Sequence, residues 1–387
     1  MNRTIRLGIL STYSTIYPTL SQDFMDGIWS GIPEKLHRYF QFIPEYVRYG
    51  EPSALKPAME KLLSFQNVDL LTGMASYRSM SQLVPNIERF KKTCLFADMG
   101  EYVPFLKDQS PYIFYNSFQS WQSEYAMGYW AQKKFGGRGM FMMSTYESGY
   151  HMHNAFHEGV QVAEPSSMDM IIMKHTDDMS IMPEDVLAEY MENLRKERPD
   201  YIHALFSGDE ALDFFKAFHK EGLHKFIPLV VTAPMGAYEL LNQISNLDMT
   251  FYAASIWDLE IQDDSNKKFK QAFIQRTGRM PNMFALLGYE IGLALEQLYP
   301  YFQNNEPEKA QKMLAEKTFL TPRGEQSFNI QSQFSTPVID IEKINVANNV
   351  VSKMVIEQGK SLPYNHKVFE TIQENSASGF FNSYLSV

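Results

Sequence analysis

The strongest constraint on the fold is a regular alternation of short apolar runs with helical patterns along most of the chain. The runs have the length of buried strands, and the intervening patterns place apolar residues three and four positions apart. The first run is Ile5–Leu10 and the last of the alternating series is Thr250–Ile256. Such alternation is typical of parallel sheets with helices on both faces. Because the pattern occurs as two series, the sequence predicts two doubly wound α/β units, divided near Phe118.

Small and hydroxyl-bearing residues follow several of the predicted strands. In the stretch NVDLLTGMASYRSMS, Val68–Leu71 is a predicted strand, Thr72–Ser76 a predicted loop, and a helical pattern begins after it. Loops after parallel strands share one edge of the sheet, where open α/β sheets bind ligands. Backbone N–H groups at the start of such a helix favour an anionic group. An ordinary strand-to-helix turn is the alternative interpretation.

Composition excludes several classes of protein. The net charge of −10, with no basic block on one predicted face, argues against nonspecific nucleic-acid binding. No apolar run is long enough to span a membrane, so we expect no membrane insertion of this chain. The single cysteine, Cys94, excludes an internal disulfide and a cysteine-based zinc site, and its apolar strand predicts a buried, inert thiol.

Enzymatic and metal chemistry find little support in the motifs. His151, His153 and His157 lie close together, and the last two share a helix face, but no HExxH motif or third ligand is nearby. Solvated histidines at a surface or a cleft mouth are the ordinary alternative. P-loop, nucleophile-elbow and kinase motifs are absent from the sequence. We therefore predict no enzyme, no catalytic residues, no metal and no cofactor.

In the order and spacing of its motifs, the chain resembles the type I periplasmic binding proteins, the branched-chain amino-acid and amide receptor group. The resemblance covers roughly residues 5–356 and is carried by IRLGILSTYS, ALKPAMEKLLSFQNVDLLTGMAS, GRGMFMMSTYESGYHMHNAFHEGV, RPDYIHALFSGDEALDFFKAFHKEGL, MPNMFALLGYEIGLALEQL and FLTPRGEQSFN. One departure lies in a ligand loop, because Ser148 stands where the family has a tyrosine beside a glycine.

The resemblance implies two Rossmann-like lobes joined by three crossover strands. Lobe one would comprise 1–118 plus 252–330, lobe two 119–251 plus 331–358, and 359–387 would be a C-terminal tail without clear periodicity. A ligand would lie between the lobes, which would close on it by hinge motion.

Residues that match the family's ligand positions, or that follow later strands, form the expected ligand-binding set. This set is Tyr13, Thr72, Gly73, Met74, Ser76, Ala97, Asp98, Met99, Tyr146, Ser148, Gly149, Tyr150, Ser207, Asp209, Thr232 and Trp257.

An amino-acid ligand would also need an anionic partner for its ammonium group. The candidates are Asp98, Glu147, Asp209 and Asp258, and a solvated helix cap is the alternative for each. The aromatic residues of the set could wall an apolar side group, with packing between the lobes as the alternative.

The predicted function is that of an extracytoplasmic solute-binding protein. It would capture an amino acid, an amide or a small carboxylate and deliver it to an ABC permease. The alternative is a ligand sensor of the same fold that signals to a protein partner. The N-terminus MNRTIRLGIL carries no signal segment, so we expect a periplasmic or lipid-anchored protein whose signal is absent from this chain, with a cytoplasmic protein as second choice.

Overall fold

The computed structural model describes residues 3–104, 110–173, 183–329 and 335–375, and these form two compact units. The first unit contains the described residues up to Gln119 together with Trp257–Ser335. The second contains Ser120–Ile256 together with the described residues from Thr336 onward. Each unit is therefore assembled from segments that lie far apart in the sequence.

The first unit opens with a βα series that ends at its fifth strand. Its elements are β1 (Ile5–Ser11), α1 (Leu20–Gly31), α2 (Glu34–His37), β2 (Phe40–Tyr46), α3 (Pro52–Glu60) continued by a π turn (Lys61–Phe65), β3 (Leu70–Met74), α4 (Tyr77–Ser81), α5 (Val84–Phe90), β4 (Thr93–Asp98) and β5 (Ile113–Ser117).

The chain then builds most of the second unit. Its elements are α6 (Ser120–Phe135), β6 (Gly139–Ser144), a 3₁₀ turn (Glu147–Gly149), α7 (Met152–Ala163), β7 (Asp169–Met173), α8 (Pro183–Glu197), β8 (Tyr201–Leu205), α9 (Gly208–Lys220), a 3₁₀ turn (Leu223–Lys225), β9 (Leu229–Val231), a 3₁₀ turn (Pro234–Gly236), α10 (Tyr238–Leu241), a 3₁₀ turn (Asn242–Ile244) and β10 (Met249–Ser255).

Two later segments complete the units. The first unit gains α11 (Asp264–Thr277), α12 (Met283–Gln303), α13 (Pro307–Glu316), β11 (Thr318–Thr321) and β12 (Gly324–Ser327). The second gains β13 (Asp340–Ala347), β14 (Val350–Gln358) and α14 (His366–Glu374).

Both main sheets confirm the predicted doubly wound α/β class. The first has the order β2-β1-β3-β4-β5 with every neighbouring pair parallel. The second has the order β14-β13-β10-β9-β8-β6-β7, parallel from β10 to β7 and antiparallel where β13 and β14 are added. Strands β11 and β12 form a separate hairpin. The central strands are buried throughout, which explains why they appear in the sequence as continuous apolar runs.

The apolar spacing over Leu20–Tyr39 predicts one long helix, but the structure contains two helices there. Helix α1 ends at Gly31, Ile32 is extended, and Pro33 precedes α2. The proline ring disfavours helical backbone in the residue before it, so the apolar period continues through a point where the helix cannot.

The described part of the predicted tail is folded onto the second unit. The Leu362 N–H donates to Gln122 Oε1 at 2.8 Å, and Gln122 Nε2 donates to the Leu362 carbonyl at 2.9 Å. On α14, the ring of Phe369 packs edge-on against Trp121, with centroids 5.2 Å apart. Residues beyond 375 lie outside the described part of the chain.

A glycine-mediated helix pair holds each unit together. In the first unit, a Cβ at Gly288 of α12 would lie 2.1 Å from the Phe24 carbonyl oxygen of α1, and one at Gly27 would lie 2.2 Å from the Ala285 carbonyl oxygen. In the second unit, a Cβ at Gly128 of α6 would lie 2.0 Å from the Phe156 carbonyl oxygen of α7. Only glycine allows backbones to approach this closely.

The other side of α12 carries a buried ion pair. Arg323 donates through Nε and Nη2 to the two carboxylate oxygens of Glu290, at 2.9 and 2.6 Å. The same guanidinium donates to the Ser117 carbonyl at 3.1 Å and to Asn116 Oδ1 at 2.9 Å. Both ionic side chains are almost fully buried, so Arg323 neutralises Glu290 and fixes the end of β5.

We expect Gly288→Ala to destabilise the first unit by about 3 kcal/mol, the upper end for overpacking, because the added methyl meets backbone that cannot rotate away. Urea unfolding followed by circular dichroism measures the change. Gly236→Ala is the matched control, since its Cβ would meet only side-chain atoms, at 3.2 and 3.3 Å. Equal stability of the two variants would contradict the close approach.

We expect Arg323→Met to cost about 3–5 kcal/mol, because it leaves the Glu290 carboxylate buried without a counter-charge. The double variant Arg323→Met with Glu290→Leu removes both charges and should be more stable than the single one. A double variant less stable than Arg323→Met in the same urea titration would show that the ion pair is not the main contribution of these side chains.

Candidate functional site

The carboxyl edge of each parallel sheet is the place where this topology presents loops to a ligand. In the first sheet the strand order reverses between β1 and β3, and in the second between β6 and β8. Ligands of open α/β sheets bind at such switch points. The residues after these strands therefore define one candidate surface on each unit.

On the first unit, the loop after β1 places Tyr13 and Thr12 at the switch point. Tyr13 is 41% exposed, and its ring lies 6.1 Å from that of Tyr49. The Thr12 side chain is 3% exposed, and among the described residues its hydroxyl has no hydrogen-bond partner. After β3, Ser76 caps α4 and accepts from the Ser79 N–H at 3.2 Å. After β4, Met99 is buried.

Three residues predicted in the loop after Leu71 are instead part of β3. Thr72 is fully buried and its hydroxyl donates to the Leu95 carbonyl at 2.6 Å, and Met74 is also buried. At Gly73, φ is +152° and a Cβ would lie 2.6 Å from the Leu10 carbonyl oxygen. The glycine therefore continues the strand close to β1, although in the sequence it resembles a turn. Ala97 likewise lies inside β4.

Asp98 ends β4 as a buried carboxyl group. Its Oδ1 accepts from the Gly100 N–H at 3.1 Å. Burial raises the pKa of Asp98 to about 7, although hydrogen bonds from the Ser117 side chain and from the Gly100 and Tyr77 backbone act to lower it. Asp98 is thus a strand-end carboxyl that can hold a proton near neutral pH.

Aromatic and charged side chains also lie in the segments that follow β3 and β4 on the first unit. Arg78 lies over the ring of Tyr102, 5.5 Å from its centroid, and Glu101 is fully buried. Burial raises the pKa of Tyr115 well above its ordinary value, and the neighbouring Tyr77 and Asp98 add to the shift. This edge is therefore apolar with a few polar groups, as small-molecule sites are.

On the second unit, a hydrogen bond joins the two strand ends at the switch point. Ser207, after β8, donates its hydroxyl to Glu147 Oε1 at 2.6 Å, and Glu147 belongs to the loop after β6. Burial raises the pKa of Glu147 to about 7; the Ser207 hydroxyl lowers it, and the nearby Glu210 and Glu124 raise it. Glu147 is therefore a second buried carboxyl that can exchange a proton near neutral pH.

The rest of that loop is compact. Ser148 donates its hydroxyl to the Thr145 carbonyl at 2.7 Å, and the 3₁₀ turn includes Gly149. Tyr150 is buried, whereas Tyr146 is half-buried.

Two of the three clustered histidines are buried, which corrects the expectation of solvated side chains. His151 is buried, and His153 is 6% exposed with no hydrogen-bond partner for Nδ1 among the described residues. Burial lowers the pKa of His153 to about 4, so the ring is neutral at pH 7. His157 is half-buried, and its Nε2 lies 3.0 Å from Gln161 Nε2.

A buried His–Glu pair was not predicted from the sequence. His203 Nε2 lies 2.6 Å from Glu124 Oε2, and the imidazole stacks on Phe156 with centroids 4.0 Å apart. The only local signal was a polar residue inside an apolar strand, YIHAL. Its partner Glu124 lies on α6, 79 positions earlier in the sequence.

The remaining predicted residues are less closely associated with these groups. Asp209 is an exposed residue in the first turn of α9, and Thr232 is buried after β9. The half-buried Trp257 donates its indole N–H to Asn266 Oδ1 at 3.0 Å. The Asp258 carboxylate accepts from the Glu260 N–H at 2.7 Å. Of the four candidate anionic partners, only Asp98 and Glu147 are buried.

In the described part of the chain, no three His, Cys, Asp or Glu side chains are arranged to hold a metal ion. None of the described helices combines the length and the hydropathy that a membrane-spanning segment requires.

Both the sequence and the fold of this chain match known binding proteins. A family model described as periplasmic binding protein matches residues 49–339. No curated protein sequence matches the chain.

Solved structures with the same fold include three binding proteins. An ABC transporter substrate-binding protein from Sphaerobacter thermophilus has a TM-score of 0.77 and 18% identity, over 93% of this chain and 98% of that one. A solute-binding protein from Rhodopseudomonas palustris HaA2, in complex with p-hydroxybenzoic acid, has a TM-score of 0.76 and 19% identity, over 93% of this chain and 98% of that one. A branched-chain amino-acid transporter substrate-binding protein from Streptococcus pneumoniae, in complex with isoleucine, has a TM-score of 0.67 and 12% identity, over 92% of this chain and 99% of that one.

The raised pKa of Asp98 predicts a pH-dependent stability. Between about pH 4 and pH 7 the folded state keeps a proton that the unfolded chain releases, so the free energy of unfolding falls as pH rises through this window. We expect Asp98→Asn to flatten that decline in urea titrations across the window. The exposed Asp248→Asn should follow the wild type, and a parallel profile for Asp98→Asn would refute the assignment.

Proposed function

This chain belongs to the periplasmic binding protein family, and we propose that it is an extracytoplasmic solute-binding protein of an ABC transporter. It would bind a small polar solute and deliver it to a membrane permease. The observation that carries the proposal is that each unit has its own buried carboxyl group and aromatic side chain after the parallel strands of its sheet. Solute binding alone accounts for these groups, without a catalytic role.

Each unit offers its own set of proposed contact residues. The first contributes Tyr13, Ser76, Asp98 and Met99, and the second contributes Tyr146, Glu147, Tyr150 and Ser207. Hydroxyl and carboxyl groups would replace the water that a bound solute loses, and the rings would cover its apolar part. Thr72 and Ala97 would support the site from within their strands.

Mass spectrometry of small molecules released from the purified protein tests the proposal directly. A thermal-shift screen of amino acids, amides and aromatic acids complements it, because the similar structures contain p-hydroxybenzoic acid and isoleucine. A solute present at one hundred times its Kd should stabilise the protein by about 2.7 kcal/mol. The absence of both a released solute and a stabilising one would contradict the function.

We expect Tyr13→Ala on the first unit and Tyr146→Ala on the second each to weaken binding of the identified solute by about tenfold or more. Isothermal titration calorimetry measures the loss. The matched controls are Phe65→Ala and Phe226→Ala, which remove exposed rings that precede β3 and β9 and therefore lie toward the opposite sheet edges. Unchanged binding in either tyrosine variant would show that the tyrosine concerned does not contact the solute.

A further inference from the structure

One edge of the seven-stranded sheet is formed by β14, the longest strand in the described part of the chain. It pairs with β13 on one side, and no described strand pairs with its other side. Four of its apolar side chains are exposed, namely Val350 at 61%, Met354 at 56%, Val355 and Ile356. The edge of a sheet offers backbone N–H and C=O groups to which another strand can add.

Native edge strands usually carry features that prevent such pairing, and β14 has few of them. The edge strand β2 of the first sheet contains Pro44, whereas β14 contains no proline. The one lysine of β14, Lys353, is turned onto its own unit, with Nζ 3.5 Å from Glu342 and 4.6 Å from the centre of the Tyr238 ring. Glu357 accepts from the indole N–H of a tryptophan on α6 at 2.9 Å. Both charged side chains of the strand are therefore engaged by the second unit itself.

The turn between β13 and β14 fixes which backbone groups of β14 point outward. Its two residues, Asn348 and Asn349, both have positive φ, 53° and 61°, as a type I′ turn requires. The residues that flank a two-residue turn form a hydrogen-bonded pair, so Val350 directs its N–H and C=O toward β13. Since this direction alternates along a strand, the backbone groups of Val351 point away from the sheet.

A second copy of β14 fits this edge in an antiparallel, two-fold arrangement. The β13–β14 ladder is regular from Val350 to Val355, and its shift in register lies beyond that stretch. Outward backbone groups occur at every second residue, so the two-fold axis must pass through a residue rather than between two. An axis at Ser352 satisfies this condition within the regular stretch.

Side chains favour the axis at Ser352 over its neighbours. It places the exposed Val350 of each copy opposite the exposed Met354 of the other, on one face of the joined sheet. An axis at Lys353 would set two lysines opposite each other, which is destabilising. An axis at Met354 would bring the irregular stretch after Val355 into the new ladder. One lysine and one glutamate also leave β14 without net charge, although the whole chain carries −10.

We propose that β14 is a self-association surface, on which two copies of this chain pair their β14 strands antiparallel about Ser352. The pairing joins two seven-stranded sheets into one continuous sheet. A two-fold contact uses the same residues of both copies and covers both edges at once, so it does not propagate into a fibre. Only the second unit takes part in it.

Sedimentation velocity of the full chain, over a series of protein concentrations, tests for the dimer. A single strand pair is a small interface, so we expect a reversible dimer that becomes populated as the concentration rises. Amide hydrogen exchange tests which strand pairs. The outward N–H of Val351 should exchange about tenfold more slowly in the dimer, whereas the N–H of Val350, which already faces β13, should change little.

Charge variants at the two facing positions test the register. Val350→Lys combined with Met354→Lys sets lysines opposite each other, and should weaken dimerisation by about tenfold or more. Val350→Lys combined with Met354→Glu sets opposite charges against each other, and should keep the dimer. Leu320→Lys, at an exposed apolar residue of β11 in the first unit, is the matched control and should have no effect. Far-ultraviolet circular dichroism verifies that each variant is folded.

The outcomes decide the proposal. A chain that stays monomeric at every concentration would overturn it, and so would a dimer that persists in the double-lysine variant. Equal weakening in the double-lysine and lysine–glutamate variants would contradict the register and the proposal with it. A monomer in which the Val351 N–H already exchanges slowly would show that another segment covers the edge, and would overturn the proposal as well.

Discussion

The direct backbone contact between α1 and α12 is the constraint on which the first unit depends. Because Gly288 brings α12 within reach of Phe24, the far side of the same helix lies close enough to β5 for Glu290 to meet Arg323. That guanidinium then holds Asn116 and Ser117 at the strand end. The position of the carboxyl edge therefore depends on a series of contacts that is possible only because residue 288 is a glycine.

The two units reach similar edges with different chemistry. In the first, Asp98 accepts hydrogen bonds from the Ser117 side chain and from backbone N–H groups, and it acts on the buried Tyr115. In the second, Glu147 accepts from the Ser207 hydroxyl, and the nearby Glu124 is paired with His203. Equal topology therefore fixes where polar groups appear, whereas the individual residues decide what those groups can bind.

Local periodicity was enough to predict the fold class, because parallel strands buried on both faces stand out as continuous apolar runs. It failed where two distant segments determine the outcome. Gly73 resembles a turn residue until Leu10 is placed beside it, and His203 resembles a core histidine until Glu124, 79 positions earlier, is placed against it. The burial of Asp98 and Glu147 could not be predicted from the sequence for the same reason, because several separate elements pack together to create it.

The interleaved chain has a consequence for synthesis on the ribosome. The glycine face of helix α1 stays uncovered until α12 has been synthesised. Trp121 on α6 likewise lacks its contact with Phe369 until translation reaches the end of the described chain. Since chains emerge at about 5–20 residues per second, apolar surfaces made early stay open for many seconds. Nascent copies of this protein are therefore expected to need holding by chaperones until translation is almost complete.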